Sequence, residues 1–319
     1  MVSPSGSTNC VVVDAGARYG LHPNWRLAEG FAHFHLYEAE PVEAARLSRK
    51  YVNSPNVTVR QLALGAEIGD LTFGVRRHRA LSSQYSLATE AIRENYKSDE
   101  FEEIETISVP VDTLDHLYPS TDVHFLKLDV EGAELDVLHG AHNLLTRSVQ
   151  GVRSEVCFSP IFSGAPTFGD LDRLLRSYGM VLLNLDYDGR GVAKSPFTLG
   201  RRFGRLYSSD GVWVRPNEDL RQGSALEVSD SLLRQALFLL LNNASDYAID
   251  ALKMWVDVGV QVDKPDEDPL FKCVKRQVAI LFKDLHYVPQ MDGKILRDTW
   301  MEIFREPFPE LHTFWESLD

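Results

Sequence analysis

The sequence predicts an α/β fold: a doubly wound, mostly parallel sheet covered by helices on both faces, followed by an all-helical C-terminal part. Three observations lead there. Short apolar runs alternate with amphipathic helical segments as far as about residue 216, the first of those runs ends in a glycine turn, and beyond about residue 225 apolar positions recur only at helical spacing.

Cys10-Val-Val-Val-Asp14 reads as a buried strand that stops at Asp14 and turns on Gly16 and Gly20. Residues 22–30 suit a short helix, and 33–38 form a second strand ending at Glu38. Pro41 then opens a helix to about Tyr51, because proline in the first turn gives up an N–H that has no helical partner anyway. Residues 57–63 make the third strand, closed by a turn from Gly65 to Gly69. From Leu71 to Val111 the alternation lapses, and two β-like pieces, 71–75 and 104–109, flank a polar stretch, 85–96, of helical character; this reads as an insertion. The rhythm resumes with strand 123–129, helix 133–145, strand 152–158, helix 169–178 and strand 180–186. A last strand, 211–215, follows a basic, glycine-containing connection and is expected to pair antiparallel with the strand before it. The expected domains are residues 10–216 for the α/β part and 225–319 for the helical part, with residues 1–9 a mobile N-terminus.

Bulk properties narrow the function classes. With 44% hydrophobic and 25% charged residues the chain has the composition of a soluble globular protein. No apolar run reaches the roughly 18 to 20 residues a membrane span needs, and the N-terminus lacks a basic-then-apolar signal pattern, so a cytoplasmic address is expected. A net charge of -13 argues against nucleic acid as partner, since phosphate binding requires a basic face. Cys10, Cys157 and Cys273 lie far apart, without metal spacing, and read as reduced core thiols.

The first turn is a nucleotide seat by position, with a second strand-end acid, Glu38, 24 residues beyond Asp14, where an α/β domain places the group that holds a ribose. A dinucleotide site would carry G-x-G-x-x-G, whose glycines let the backbone approach a pyrophosphate; here the turn is Asp14-x-Gly16-x-x-x-Gly20. Its retained carboxylate repels phosphate and attracts an ammonium group. S-adenosyl-L-methionine fits: its charges near Asp14, Gly16, Ala17 and Gly20, its ribose hydroxyls on Glu38, its adenine beside Ala63.

Residues Lys127 to Ala141 carry K-x-D-x-E-G-x-E-x-x-V-L-x-G-A without a gap. Together with Val-Asp-Ala-Gly-Ala-Arg-Tyr-Gly at 13–20, Tyr-Glu-Ala-Glu-Pro at 37–41, Ala-Leu-Gly at 63–65, Thr-Leu-Asp at 113–115 and Ser-Asp-Gly-Val-Trp-Val-Arg at 209–215, this segment resembles the FkbM-type methyltransferases, a branch of the class I S-adenosylmethionine-dependent enzymes. The resemblance covers roughly residues 10–216. It implies a seven-stranded methyltransferase sheet with its last strand antiparallel, and methylation of an alcohol oxygen on a sugar, glycan or natural product, as in polysaccharide biosynthesis.

Methyl transfer to a hydroxyl needs in-line positioning and removal of a proton. The strand-end acids Asp129, Glu131 and Glu155 are the candidate general bases, with Lys127 placed to keep one of them ionised. Glu134, three residues into the helix turn, is less favoured. No metal site is assigned; a divalent cation held by Asp129 and Glu131 is the less favoured alternative. His22, which follows the cofactor turn, and Arg201 and Arg202, in a basic loop expected at the cofactor edge of the sheet, are the candidate acceptor contacts. That loop suggests an anionic acceptor. The competing class is a non-catalytic scaffold that binds partners through the helical appendage, for which a homo-oligomer interface, an acceptor lid and a docking site all remain open.

Overall fold

The computed structural model describes residues 10–29, 32–88, 98–159, 161–186, 189–191, 205–258 and 269–285. These residues fall into two compact units, one made of Cys10–Arg215 and the other beginning at Pro216.

The first unit is built on a sheet whose strands are β1 (Cys10–Ala15), β2 (Ala32–Glu38), β3 (Val57–Gln61), β7 (Phe125–Leu128), β8 (Gly151–Cys157), β9 (Val181–Leu185), β10 (Gly189–Gly191) and β11 (Arg205–Val214). Across the sheet the order is β3-β2-β1-β7-β8-β11, and β9 and β10 share the far edge of β11, so the eight strands occupy seven positions. The pairs from β3 to β8 are all parallel. β11 runs antiparallel to both β8 and β9. This is the predicted sheet with its antiparallel last strand, although β11 starts at Arg205 and not at 211.

Helix α1 (Pro41–Lys50) connects β2 to β3 with proline in its first turn. A short helix, α2 (Leu114–Leu117), precedes β7. The single helix expected over 133–145 is two, α3 (Glu134–His139) and α4 (His142–Arg147), broken at Gly140. A Cβ on Gly140 would stand 2.1 Å from the Gly65 carbonyl oxygen, so the chain bends where it passes another backbone. Helix α5 (Phe168–Ser177) follows β8 behind a Thr167/Asp170 capping box.

One sheet face packs Val13, Leu126, Leu128, Val152 and Trp213 against Leu138, Leu144, Leu171 and Leu175 of these helices. On the opposite face the 3-10 turn Pro23–Ala28 lays Trp25 against Phe34 and Phe125, ring centroids 6.2 and 6.0 Å apart. Period two and the strand register then put Asp14, Lys127, Asp129, Arg153, Glu155 and Asp210 on this second face, toward the carboxyl ends of the parallel strands.

The insertion forms its own three-stranded sheet of β4 (Ala63–Leu64), β5 (Gly69–Arg76) and β6 (Glu103–Asp112), in the order β4-β6-β5. Of the stretch expected to be helical, residues 85–88 are not helical, and Leu87 makes a lone β-bridge to Phe162; residues 89–97 lie outside the described residues.

The second unit contains helices α6 (Ala225–Leu241), α7 (Ser245–Val258) and α8 (Pro269–Leu285), the first capped by a Ser224/Glu227 box. Trp255 is buried, donates to the Ser229 hydroxyl at 2.8 Å and packs on Phe271. Trp300 and Trp315 fall outside the described residues. Among the described residues no helix is long and apolar enough to cross a membrane.

Candidate active site

The turn after β1 is built around Gly16, whose φ of 73° is left-handed. A Cβ there would lie 1.7 Å from the Asp129 carbonyl oxygen, so only glycine lets the β1 and β7 loops close on each other. The amides of Gly16 and Ala17 both donate to the Tyr37 carbonyl, at 3.0 and 3.1 Å, which fixes the turn against the end of β2. Gly20, at φ 90°, packs on Tyr51 of the α1 terminus, whose hydroxyl accepts from the Leu21 amide at 2.9 Å.

Beside this turn lies a cleft enclosing about 800 Å³ of empty space, solvent included. Gly16, Glu38, Ala63, Asp129 and Glu131 line it, with Arg18 and Tyr19 at the turn. Apolar walls come from Leu62 and Leu64 and, unforeseen in the sequence, from Leu71 and Phe73 of the insertion. Glu38 is buried and accepts from the Glu40 amide at 2.9 Å. Burial raises its carboxyl pKa, against the lowering pull of that hydrogen bond and of Arg18. Glu40, which sequence reasoning missed, is 2% exposed and sits between Arg18 at 2.7 Å and Arg79 at 2.6 Å, tying the turn and the insertion to the end of β2. Such a pairing of Arg79 across 39 residues leaves no local pattern.

The sequence suggests that the Asp14 carboxylate meets the cofactor's charge; in the structure Asp14 is 2% exposed, is not among the residues lining the cleft and faces Lys127 at 3.2 Å. Burial pushes its carboxyl up to about 6, with Lys127 opposing. Ala17 and Gly20 likewise shape the turn from behind and do not line the cleft. Lys127 reaches Asp129 as well, at 3.1 Å, and its two carboxylate neighbours raise its pKa despite burial.

Asp129, Glu131 and Glu155 converge, offering one carboxylate oxygen each within 4.8 Å of one another. Burial and then mutual repulsion hold Glu131 and Glu155 well above the usual carboxylate range. Glu134 turns back to accept from the amides of Val130 at 2.9 Å and Gly132 at 3.1 Å, closing the loop between β7 and α3; burial pushes its carboxyl up to about 7. Next to this group Arg153, buried, forks onto Asp186 at 2.8 Å and Asp210 at 2.7 Å. His22 is part-buried beside them, pushed down to about 4 by burial and by the charges of Arg153 and Lys127, so its imidazole is neutral at pH 7. The period-two pattern of β8 and β11 could have pointed to Arg153 and Asp210, but only once the strand order was known. Arg201 and Arg202 lie outside the described residues.

The cleft suits a phosphate-free nucleoside ligand: a buried carboxylate for ribose hydroxyls, an apolar slot for a base and a single close-packed glycine in place of a phosphate cradle. A family model described as the methyltransferase FkbM domain matches residues 14–182, which is 169 of the 319 residues. No curated protein matches the chain. Among solved structures, a tRNA (m1A22) methyltransferase candidate from Streptococcus pneumoniae aligns at 12% identity and a TM-score of 0.31, over 87% of this chain and 99% of that one. EvdMO1 aligns at 11% and 0.34, over 80% and 49%. A Streptococcus agalactiae protein of the NADB-Rossmann superfamily aligns at 12% and 0.31, over 85% and 89%. At these scores the likenesses carry no argument about the reaction.

Proposed function

The chain belongs to the FkbM methyltransferase family, and on that premise we propose that it methylates a hydroxyl of a sugar, glycan or natural-product acceptor. The observation that carries this reading is the convergence of Asp129, Glu131 and Glu155 beside the cleft that Asp129 and Glu131 themselves line. An acceptor alcohol is a poor nucleophile until its proton is removed, and carboxylates held above their usual range, as those of Glu131 and Glu155 are, are suited to take one near neutral pH. Bound S-adenosylmethionine supplies the activated methyl group. Glu38 would hold its ribose hydroxyls, and Ala63, Leu71 and Phe73 its base. Gly16 lets the cofactor's chain approach the turn. Lys127 pairs with Asp129 at 3.1 Å and fixes its position, and neutral His22 is a hydrogen-bond acceptor for the substrate hydroxyl.

The same convergence supports a second reading, in which the carboxylates hold a hard divalent cation that binds the acceptor oxygen and lowers its pKa. A labelled-methyl transfer screen against surface polysaccharide precursors, with and without EDTA, tests both. Transfer that survives EDTA and is lost in Glu131→Gln supports carboxylate base catalysis. Transfer abolished by EDTA and restored by Mg²⁺ supports the metal reading, and label found on nitrogen overturns the choice of a hydroxyl.

A further inference from the structure

The loop that carries Glu131 is held in an unfavourable backbone state. Glu131 has φ 55° and the next residue, Gly132, φ 100°, so two left-handed residues stand in a row and only the second is glycine. A side chain at left-handed φ persists where its surroundings over-determine it. Two groups do so here. From inside the loop, the Glu134 carboxylate gathers the Val130 and Gly132 amides. From outside, the Ser83 hydroxyl donates to the Glu131 carbonyl at 2.6 Å.

Ser83 is itself fixed. It is 1% exposed, its backbone exchanges two hydrogen bonds with Gly74 of β5, at 2.9 and 3.2 Å, and its hydroxyl oxygen accepts from the Tyr85 amide at 3.0 Å. Gln84 and Tyr85 both donate to Asp136 of α3, at 2.7 and 2.8 Å, while Ser86 and Ala88 bond to Ser163 and Ile161 beyond β8. The segment from Ser82 to Ala88 thus straps the loops after β7 and β8 to the insertion.

We propose that Ser83 is a positioning residue, whose hydroxyl holds the Glu131 backbone in its left-handed turn and so keeps the Glu131 carboxyl at the cleft beside Glu155. This rests on the methyltransferase reading for its catalytic meaning. Ser83 touches neither acceptor nor donor in this role; it acts through Glu131. Without it the turn relaxes toward ordinary φ and Glu131 leaves the neighbourhood of Glu155, Asp129, Glu134 and Lys127.

The test needs no acceptor. The full chain is labelled with ¹³C-glutamate, and the Glu131 backbone resonances are identified by NMR as those missing from Glu131→Gln. In the unsubstituted chain the Glu131 ¹³Cα and ¹³Cβ shifts should report its left-handed φ. Ser83→Ala should move them toward the values of ordinary backbone, and Ser83→Thr, which keeps the hydroxyl, should restore them. Unchanged Glu131 shifts in Ser83→Ala overturn the proposal, since a merely structural loss elsewhere would not single out this turn. If Ser83→Ala does not fold, Ser83→Cys, with a weak donor, is read by the same criterion. Calorimetric titration of the unsubstituted chain with S-adenosylmethionine separates the two claims: no binding at millimolar donor overturns the catalytic meaning given to Glu131, whatever the backbone shifts show.

Discussion

Gly16 and Asp14 stand two residues apart and answer to different physics. At Gly16 a methyl group would have to occupy space already held by the Asp129 carbonyl oxygen, at 1.7 Å, and backbone cannot step aside as a flexible side chain can. Gly16→Ala is therefore expected to destabilise the α/β unit by several kcal/mol and to abolish donor binding, read by thermal unfolding and by calorimetry with S-adenosylmethionine. At Asp14 the effect is one of charge. Burial raises its carboxyl from 3.8 to about 6, so between those values the folded chain keeps a proton that the unfolded chain has released. Its contribution to stability is full below about pH 4 and is lost as the pH rises through 6. Asp14→Asn fixes the neutral state, so the unsubstituted chain should lose about 3 kcal/mol relative to Asp14→Asn between pH 4 and pH 7. A difference that stays flat with pH would show that the carboxyl ionises as readily folded as unfolded. The sequence could place Asp14 at a strand end but not say what it faces. Its partner, Lys127, is opposite it only because β1 and β7 are neighbours, a fact of strand order that lies 113 residues away along the chain.

Elements were legible in proportion to how local their causes are. The alternation of buried strands and helices from Cys10 to Val214 shows in the residue pattern because the central strands β1, β7 and β8 bury both faces and each helix one. The insertion was harder: its pieces at 71–75 and 104–109 are visible as β, but their antiparallel pairing joins segments about 35 residues apart, and no turn signal marks it. The helix break at Gly140 depends on Gly65, a contact no helical period encodes. Arg153 is the clearest case of an element-level role hidden from sequence, because it sits on β8 yet binds Asp186, just past β9, and Asp210 on β11. It staples three strands at their functional ends. Removing a buried cation leaves carboxylates without their partner, so Arg153→Met should cost roughly 2–4 kcal/mol in chemical denaturation. The Arg153→Met, Asp186→Asn, Asp210→Asn triple variant should recover part of that loss; recovery of none would mean that Arg153 acts by packing alone.

At the scale of the whole molecule, the family model and the folded unit do not end at the same place. The match stops at residue 182, within β9, but β11 lies between β8 and β9 in the sheet. A fragment cut at 182 would expose the edge of β8, whose whole length from Gly151 to Cys157 pairs with β11, and would leave the start of β9 with no neighbour. The unit is closed one residue beyond β11. Arg215 donates to the carbonyls of Val149 and Tyr178, at 2.8 and 3.2 Å, and to that of Leu145, holding the end of the strand onto the helices and loops behind it. Residues 1–182 should consequently fail to give a cooperative unfolding transition, whereas residues 1–216 should unfold cooperatively. The longer fragment should also bind S-adenosylmethionine within a few-fold of the full chain, because every residue lining the cleft falls between Ala15 and Ala133. A cooperative 1–216 fragment with no donor binding would assign the helical unit a part in the cofactor site, and an unfolded one would make that unit a requirement for the sheet.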